Sequence, residues 1–150
     1  MSTEEKNITV TLWSYVCILI YFVVRWVHMY QTIGLDKATI FGLWATVIAA
    51  IILVTIIGSI LTHIVFAIVH AVKTQSEKVE PMITDERDKM IKLRGQNLGY
   101  IIFSIGVFIS MITYVMGQPT LIMFSIIVFF SVFSEIVTDV FQLFIYRRGF

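Results

Sequence analysis

Four long runs of apolar residues dominate the chain, and they extend over about 12–30, 39–70, 98–116 and 120–146. A helix needs about 20 largely apolar residues to cross the hydrocarbon core of a bilayer. Val, Ile and Phe are abundant in the runs and would favour strands in water, but the runs are long and lack turn residues. Only helices satisfy their own backbone in lipid. We therefore predict an all-α, polytopic membrane protein, with its single domain a four-helix transmembrane bundle.

The composition agrees with a lipid environment and argues against a soluble domain, a nucleic-acid-binding protein and an enzyme. Of 150 residues, 58% are hydrophobic and 14% are charged, whereas a soluble domain is about a quarter charged. Eleven Lys and Arg against ten Asp and Glu leave a net charge of +1, which is not the basic excess of a nucleic-acid-binding protein. The chain has no phosphate-binding glycine loop, no nucleophile elbow and no zinc-protease motif. We expect no enzymatic activity, no cofactor and no metal.

The distribution of Lys and Arg predicts the orientation. Six of them lie between the second and third runs, in the loop 73–94, two more are Arg147 and Arg148, and Lys6 precedes the first run. The two short loops on the opposite side hold only Lys37. Basic residues favour the cytoplasmic side, so both termini should face the cytoplasm. The N-terminal segment lacks a signal-peptide pattern, so we expect the first span to be retained.

The loop 73–94 is the only sizeable polar region. Pro81 breaks the preceding helix, and Thr84 suits an N-cap with Asp85 and Glu86 in the first turn. We expect a helix over 84–94 that runs straight into the third span. It is either a solvated juxtamembrane helix or a docking surface for a partner.

The same segment resembles a known signature. The run Asp85-Glu86-Arg87-Asp88-Lys89, with Ile91, Arg94 and Gly95 after it, is similar to the DER signature of a family of small four-span bacterial and archaeal membrane proteins of unknown function. The ending Tyr146-Arg147-Arg148-Gly149 is also similar to bacterial members. The resemblance implies a four-span architecture in a bacterial inner membrane and supplies no chemistry.

Polar residues within the runs are the candidate functional site, because ionisable groups in a membrane are costly. Glu135 and Asp139 share one face of the fourth helix, with Ser131 and Thr138 beside them. His63 of the second helix is expected at a similar depth, so we predict a buried pair between His63 and one of the two carboxyls. This cluster either holds the helices together by hydrogen bonds or has a proton-linked role.

Small residues at Gly95, Gly99, Gly106 and Ser110 form a stripe on the third helix. Such stripes allow close helix approach, either within the bundle or in a homodimer. A third possibility is that a lipid or quinone binds between the helices, where the aromatic Phe129, Phe130 and Phe133 lie near the polar face of the fourth helix.

Two functions follow from these patterns. The first is a non-catalytic accessory or regulatory membrane protein that contacts a partner through Asp85, Glu86, Arg87 and Arg94 and the glycine face at Gly95 and Gly99. The alternative is a small proton-coupled transporter with an intramembrane carboxylate centre at Glu135.

Overall fold

The computed structural model contains four α-helices: α1 (Thr3–Thr32), α2 (Lys37–Lys73), α3 (Met82–Val115) and α4 (Thr120–Arg148). It describes residues 3–32, 36–73 and 82–148, and the side chains of 5–32, 36–58, 60, 64 and 86–148. Each helix has a segment long and apolar enough to cross a membrane. The predicted all-α fold with four spans is confirmed.

The third helix is longer than a bilayer requires. Its 34 residues correspond to about 51 Å at the usual helical rise, and they continue without a break from the polar segment into the apolar one. The predicted helix over 84–94 is therefore the first part of α3. The helix begins at Met82, so Thr84 lies in its first turn and is not the N-cap.

Helix α4 is the central element, because it packs against α1, α2 and α3. Helix α1 also packs along α2. In the described part of the chain, the backbone of α3 comes close to that of α4 and not to that of α1 or α2.

Hydrogen bonds between helices establish which ends lie together. Thr11, near the start of α1, bonds Asp139, near the end of α4, and Tyr146 bonds Asp88 at the start of α3. The start of α1, the start of α3 and the end of α4 therefore share one end of the bundle, called here the terminal end. The starts of α2 and α4 meet at the opposite end, where the indole nitrogen of Trp44 donates to the Ser125 hydroxyl at 3.2 Å.

The apolar core lies between α1, α2 and α4. Helix α1 contributes buried side chains at intervals of seven residues, which are Ile8, Tyr15, Phe22 and Met29. A seven-residue repeat keeps one stripe of side chains facing the neighbouring helices when the helices wind around each other in a left-handed supercoil. Val132 of α4 is fully buried against this core.

Close approach of α3 to α4 depends on missing side chains. Gly95 lies beneath Gln142, where a Cβ atom would come within 2.6 Å of the Gln142 Cγ. Gly99 lies in the same way beneath Thr138, and Gly106 beneath Phe130. The glycine stripe thus serves packing within the bundle, as one of the two interpretations predicted. Because α4 covers Gly95 and Gly99, this face is not open to a partner or to a second copy, and these two residues leave the set of contact candidates.

At the end of the bundle opposite the terminal end, the start of α2 and the end of α3 are both capped. Asp36 caps α2, because its carboxylate accepts hydrogen bonds from the Thr39 amide at 3.1 Å and the Thr39 hydroxyl at 2.8 Å. Helix α3 ends at Val115, and the chain turns two residues later at Gly117, whose φ of 86° is one that residues with a side chain rarely adopt. The amides of Gly117 and Gln118 bond back to the Tyr114 and Thr113 carbonyls, as in a Schellman motif.

Candidate functional site

Asp139 is the most buried carboxyl of the described chain, with 8% of its surface exposed. Its Oδ2 accepts a hydrogen bond from the Thr11 hydroxyl at 2.8 Å, and that hydroxyl also lies 3.0 Å from the Ile8 carbonyl oxygen. A threonine hydroxyl has one hydrogen and can also accept. An ionised Asp139 would receive the Thr11 hydrogen, whereas a protonated Asp139 could donate to Thr11, which would then donate to Ile8. The geometry therefore accommodates both forms of the carboxyl.

Tyr15 joins α1 to α2 one turn further along α1. Its hydroxyl lies 3.2 Å from the Thr55 hydroxyl, which itself donates to the Ile51 carbonyl at 2.9 Å. With the Thr55 hydrogen directed to its own helix, the Tyr15 hydroxyl donates to Thr55; with that hydrogen directed to Tyr15, the Thr55 hydroxyl gives up its bond to Ile51. The Tyr15 hydroxyl also lies within electrostatic range of both Glu135 and Asp139.

Glu135 differs from Asp139 in having no hydrogen bond or ion pair with any residue that the structure describes. It is half-buried and lies twelve residues before Arg147, which corresponds to about 18 Å of helix. Its carboxyl is therefore near the middle of the membrane. Neither carboxyl has a cation beside it among the described residues, and Glu135 lacks a hydrogen-bond donor as well.

The hydroxyl groups beside the carboxyls bond to their own helix. Ser131 donates to the Val128 carbonyl, and Thr138 donates to the Ser134 carbonyl. Such bonds within a helix satisfy a hydroxyl in an apolar environment. The predicted cluster thus contains Glu135 and Asp139, while Ser131 and Thr138 contribute to helix packing.

The predicted pairing of His63 lies outside the described side chains. The depth of His63 in the bundle still follows from how α2 is aligned with α1 and α4. Thr11 bonds Asp139 and lies beside Gly58 of α2. Gly58 therefore lies at the level of Asp139. His63 follows five residues later, which is about 7.5 Å further toward the terminal end.

At the terminal end, the start of α3 presents charged side chains. Glu86, Arg87 and Arg94 are exposed, and the side chain of Asp85 lies outside the described residues. Asp88 accepts a hydrogen bond from the Tyr146 hydroxyl at 2.8 Å, so it holds α3 against the end of α4. The exposed members of this segment lie on the surface of the terminal end.

Two shallow surface depressions lie away from the carboxyls. One follows the outer face of α1 between Thr9 and Cys17, and another follows the outer face of α3 between Tyr100 and Phe108. Within the described ranges, no three His, Cys, Asp or Glu side chains are close enough together to hold a metal ion.

Sequence analysis missed the residues that α1 contributes to this site. Thr11 and Tyr15 lie in a predominantly apolar run, where single hydroxyl groups give no periodic signal. Tyr15 lies seven residues after Ile8 and belongs to the buried stripe of α1. Thr11 lies three residues after Ile8, on nearly the same face of the helix. That spacing was the one signal that could have revealed them.

Comparisons of the chain with protein-family models, with curated proteins and with solved structures find no match. The four long apolar helices and the two carboxyls of α4 define the class, a polytopic helical membrane protein with an intramembrane carboxyl pair. No relative assigns an activity to it.

Proposed function

We propose that the protein is a non-catalytic accessory or regulatory subunit of a membrane assembly. The observation that carries this proposal is the use of intramembrane polar groups as bonds between helices. Asp139 is bonded to Thr11, Tyr15 to Thr55 and Trp44 to Ser125. Groups engaged in this way hold a bundle together, which is the role expected of a structural or regulatory membrane protein.

The partner surface in this proposal is the terminal end of the bundle. The exposed Glu86, Arg87 and Arg94 lie near Arg147 and Arg148, because Tyr146 joins the end of α4 to Asp88. Basic side chains concentrated at this end favour the cytoplasmic side of a bacterial inner membrane. A partner with acidic groups beside the membrane would meet complementary charge there.

Charge reversal tests this surface. The substitution Arg87→Glu, combined with Arg94→Glu, should remove a partner that co-purifies with the tagged protein after solubilisation. The matched control is Lys37→Glu, which reverses an exposed charge at the opposite end and should leave co-purification unchanged. An unaltered set of co-purified proteins in the double variant, with the fold intact by circular dichroism, would reject the proposal.

A proton-coupled transporter is the second candidate, and the geometry of Glu135 favours it. A carboxyl near mid-membrane without a hydrogen bond in the described chain is a typical proton-binding group. Glu135 lies within electrostatic range of Asp139 and Tyr15. The site would then exchange protons during transport.

Proteoliposomes with an internal pH-sensitive dye test the second candidate. Transport coupled to protons should appear as internal acidification under an imposed pH gradient, and Glu135→Gln should abolish it. Cys17→Ser, a change on the exposed face of α1, should preserve it. Acidification no faster than in empty liposomes, or acidification insensitive to Glu135→Gln, would exclude this function.

A further inference from the structure

The depth of the terminal end in the membrane follows from the length of α3. The turn 116–119 leaves this helix at its other end, and a turn exposed to lipid does not occur within the hydrocarbon region, so it lies at the membrane surface. About 30 Å of hydrocarbon, at 1.5 Å per residue, then reaches from Val115 back to Gly95. Because Gln142 lies over Gly95, the hydrocarbon boundary crosses α4 at the level of Gln142.

The terminal end carries an excess of positive charge in the headgroup layer beyond this boundary. Lys92 lies three residues outside Gly95 and Arg147 lies five residues outside Gln142, which correspond to about 4.5 Å and 7.5 Å of helix. All the basic side chains described at this end are exposed, and they exceed the acidic ones. The basic set is Lys6, Arg87, Lys89, Lys92, Arg94, Arg147 and Arg148, and the acidic set is Glu5, Glu86 and Asp88.

Arg148 is turned back toward the hydrocarbon boundary by its contact with Phe144. Its guanidinium carbon lies 4.7 Å from the centre of the Phe144 ring, and the face of an aromatic ring attracts a cation. Phe144 precedes Arg148 by one helical turn and lies two residues outside Gln142. The guanidinium is therefore held about 3 Å outside the boundary, which is the depth of lipid headgroups.

The pair of Phe144 and Arg148 faces away from α1 and α3. Gln142 faces α3, and Asp139 faces α1. At about 100° per residue, Phe144 lies about 160° around α4 from Gln142 and about 140° from Asp139. Arg148 lies about 120° and 180° from the same two residues. Both side chains are exposed, so they point to the lipid around the bundle.

The guanidinium of Arg148 keeps its hydrogen-bond donors. It forms no hydrogen bond or ion pair with a residue that the structure describes. A ring contacts the face of a guanidinium and leaves the N–H groups in its plane, where their fork geometry matches a phosphate. The phosphate of a phospholipid lies at this depth, and the excess of positive charge at the terminal end favours lipids with a net negative charge.

We propose that Arg148 and Phe144 form a binding site for an anionic phospholipid. The guanidinium binds the phosphate of the headgroup, and the half-exposed Phe144 ring packs against the adjoining end of an acyl chain. The occupant follows from the depth of the pair, its lipid-facing direction and the charge around it. This inference goes beyond the proposed function, because it requires a lipid and no protein partner.

Contact quenching by labelled lipids tests the site. In a Cys17→Ser background, Val140→Cys places a fluorophore one turn before Phe144, at a half-exposed position of the same face. The labelled full-length chain is reconstituted in phosphatidylcholine vesicles that contain doxyl-labelled phosphatidylglycerol or, for comparison, doxyl-labelled phosphatidylcholine. From the two quenching curves, phosphatidylglycerol should bind about fivefold more tightly, as one basic side chain at a membrane surface gives.

Variants of the pair locate the effect. Arg148→Gln should remove most of the preference, Arg148→Lys should retain part of it because the charge remains without the fork, and Phe144→Leu should weaken it. The matched control is Arg87→Gln, which removes an exposed charge of α3 and should retain the preference. A second label at Phe41→Cys, at the opposite end, should report no effect of Arg148→Gln.

Two results would overturn the inference. Equal quenching of the wild type by the two lipids would show that no anionic lipid is selected at this position. Equal losses of preference in Arg87→Gln and Arg148→Gln would show a diffuse attraction by the whole terminal end in place of a site.

The outcome is separable from that of the proposed function, because this experiment contains only the chain and lipid. A chain whose co-purification depends on Arg87 and Arg94, but which shows no lipid preference, rejects this inference alone. A chain with the lipid preference and no such dependence rejects the proposed function alone. Loss of a co-purified protein in Arg148→Gln, without lipid preference in the wild type, would assign this surface to a protein partner and overturn the inference.

Discussion

Thr11 connects α1 to α4 through a single hydroxyl, because its Oγ1 donates to the buried Asp139. Thr11→Val keeps the shape of the side chain and removes the donor. We expect the free energy of unfolding to fall by about 0.5–2 kcal/mol, which is the range for polar contacts between membrane helices. Thermal or denaturant unfolding in detergent measures the change.

Thr46 provides the matched control for this substitution. Its hydroxyl bonds only to the Gly42 carbonyl of its own helix, and its side chain is exposed. Thr46→Val should leave stability nearly unchanged. Equal losses in the two variants would show that the Thr11 contact does not hold the helices together.

Gly99 illustrates the opposite requirement, the absence of a side chain. A Cβ atom at this position would collide with the Thr138 side chain and approach the Ser134 carbonyl oxygen. Gly99→Ala should therefore separate α3 from α4 and lower the free energy of unfolding by about 1–3 kcal/mol, as overpacking does. In Gly42→Ala the new methyl would meet no atom within 4 Å, so this variant should be at least as stable as the wild type.

At the level of single helices, the capping of α2 gives a pH-dependent prediction. Hydrogen bonds from the Thr39 side chain and backbone lower the pKa of Asp36 below its ordinary range. A carboxyl with a lowered pKa in the folded state stabilises the fold above its unfolded pKa, about 3.9, and this contribution is lost as the pH falls through the folded value.

The matching experiment compares thermal unfolding between pH 6 and pH 3. The wild type should lose stability in the acidic part of this range, and Asp36→Asn, which retains an acceptor but does not ionise, should lack that component. Identical pH profiles would mean that the cap does not depend on the charge.

The fold could be predicted from sequence because its main signals are local. Long apolar runs predicted the four helices, and small residues such as Gly99 and Gly106 predicted a close helix contact. The polar face of α4 at Glu135 and Asp139 was also visible, because residues four apart share a helical face. These features require no knowledge of how the helices are arranged.

The arrangement itself could not be predicted, because helix register depends on packing between distant segments. Thr11 gives no sign in the sequence that it meets Asp139, 128 residues away along the chain. Gly58 lies at the level of Asp139 because of contacts with α1, whereas the sequence suggested His63 for that level. The central position of α4 also follows only from the three-dimensional contacts.

For the whole molecule, the contacts place the start of α1 and the end of α4 at one end, and the charge distribution favours the cytoplasm for that end. In a Cys17→Ser background, Lys6→Cys and Arg148→Cys should react with a membrane-impermeant maleimide only after the membrane is permeabilised. Lys37→Cys should react while the membrane is still sealed. Labelling of all three from one side would contradict the four-span topology, and the reverse pattern would invert the orientation.

In an accessory protein of this kind, different parts of the molecule have different functions. The bonds of Asp139 and Tyr15 hold α1 to its neighbours, the glycine stripe holds α3 to α4, and the exposed start of α3 remains for a partner. The protein would then work as a membrane scaffold whose terminal end recognises another subunit.

Site-specific photo-crosslinking in native membranes tests this account most directly. A photoreactive amino acid in place of Arg87, at the terminal end, should give a discrete protein adduct, whereas the same group in place of Lys37, at the opposite end, should give none. Adducts of equal yield from both positions, or only lipid adducts from position 87, would contradict the account.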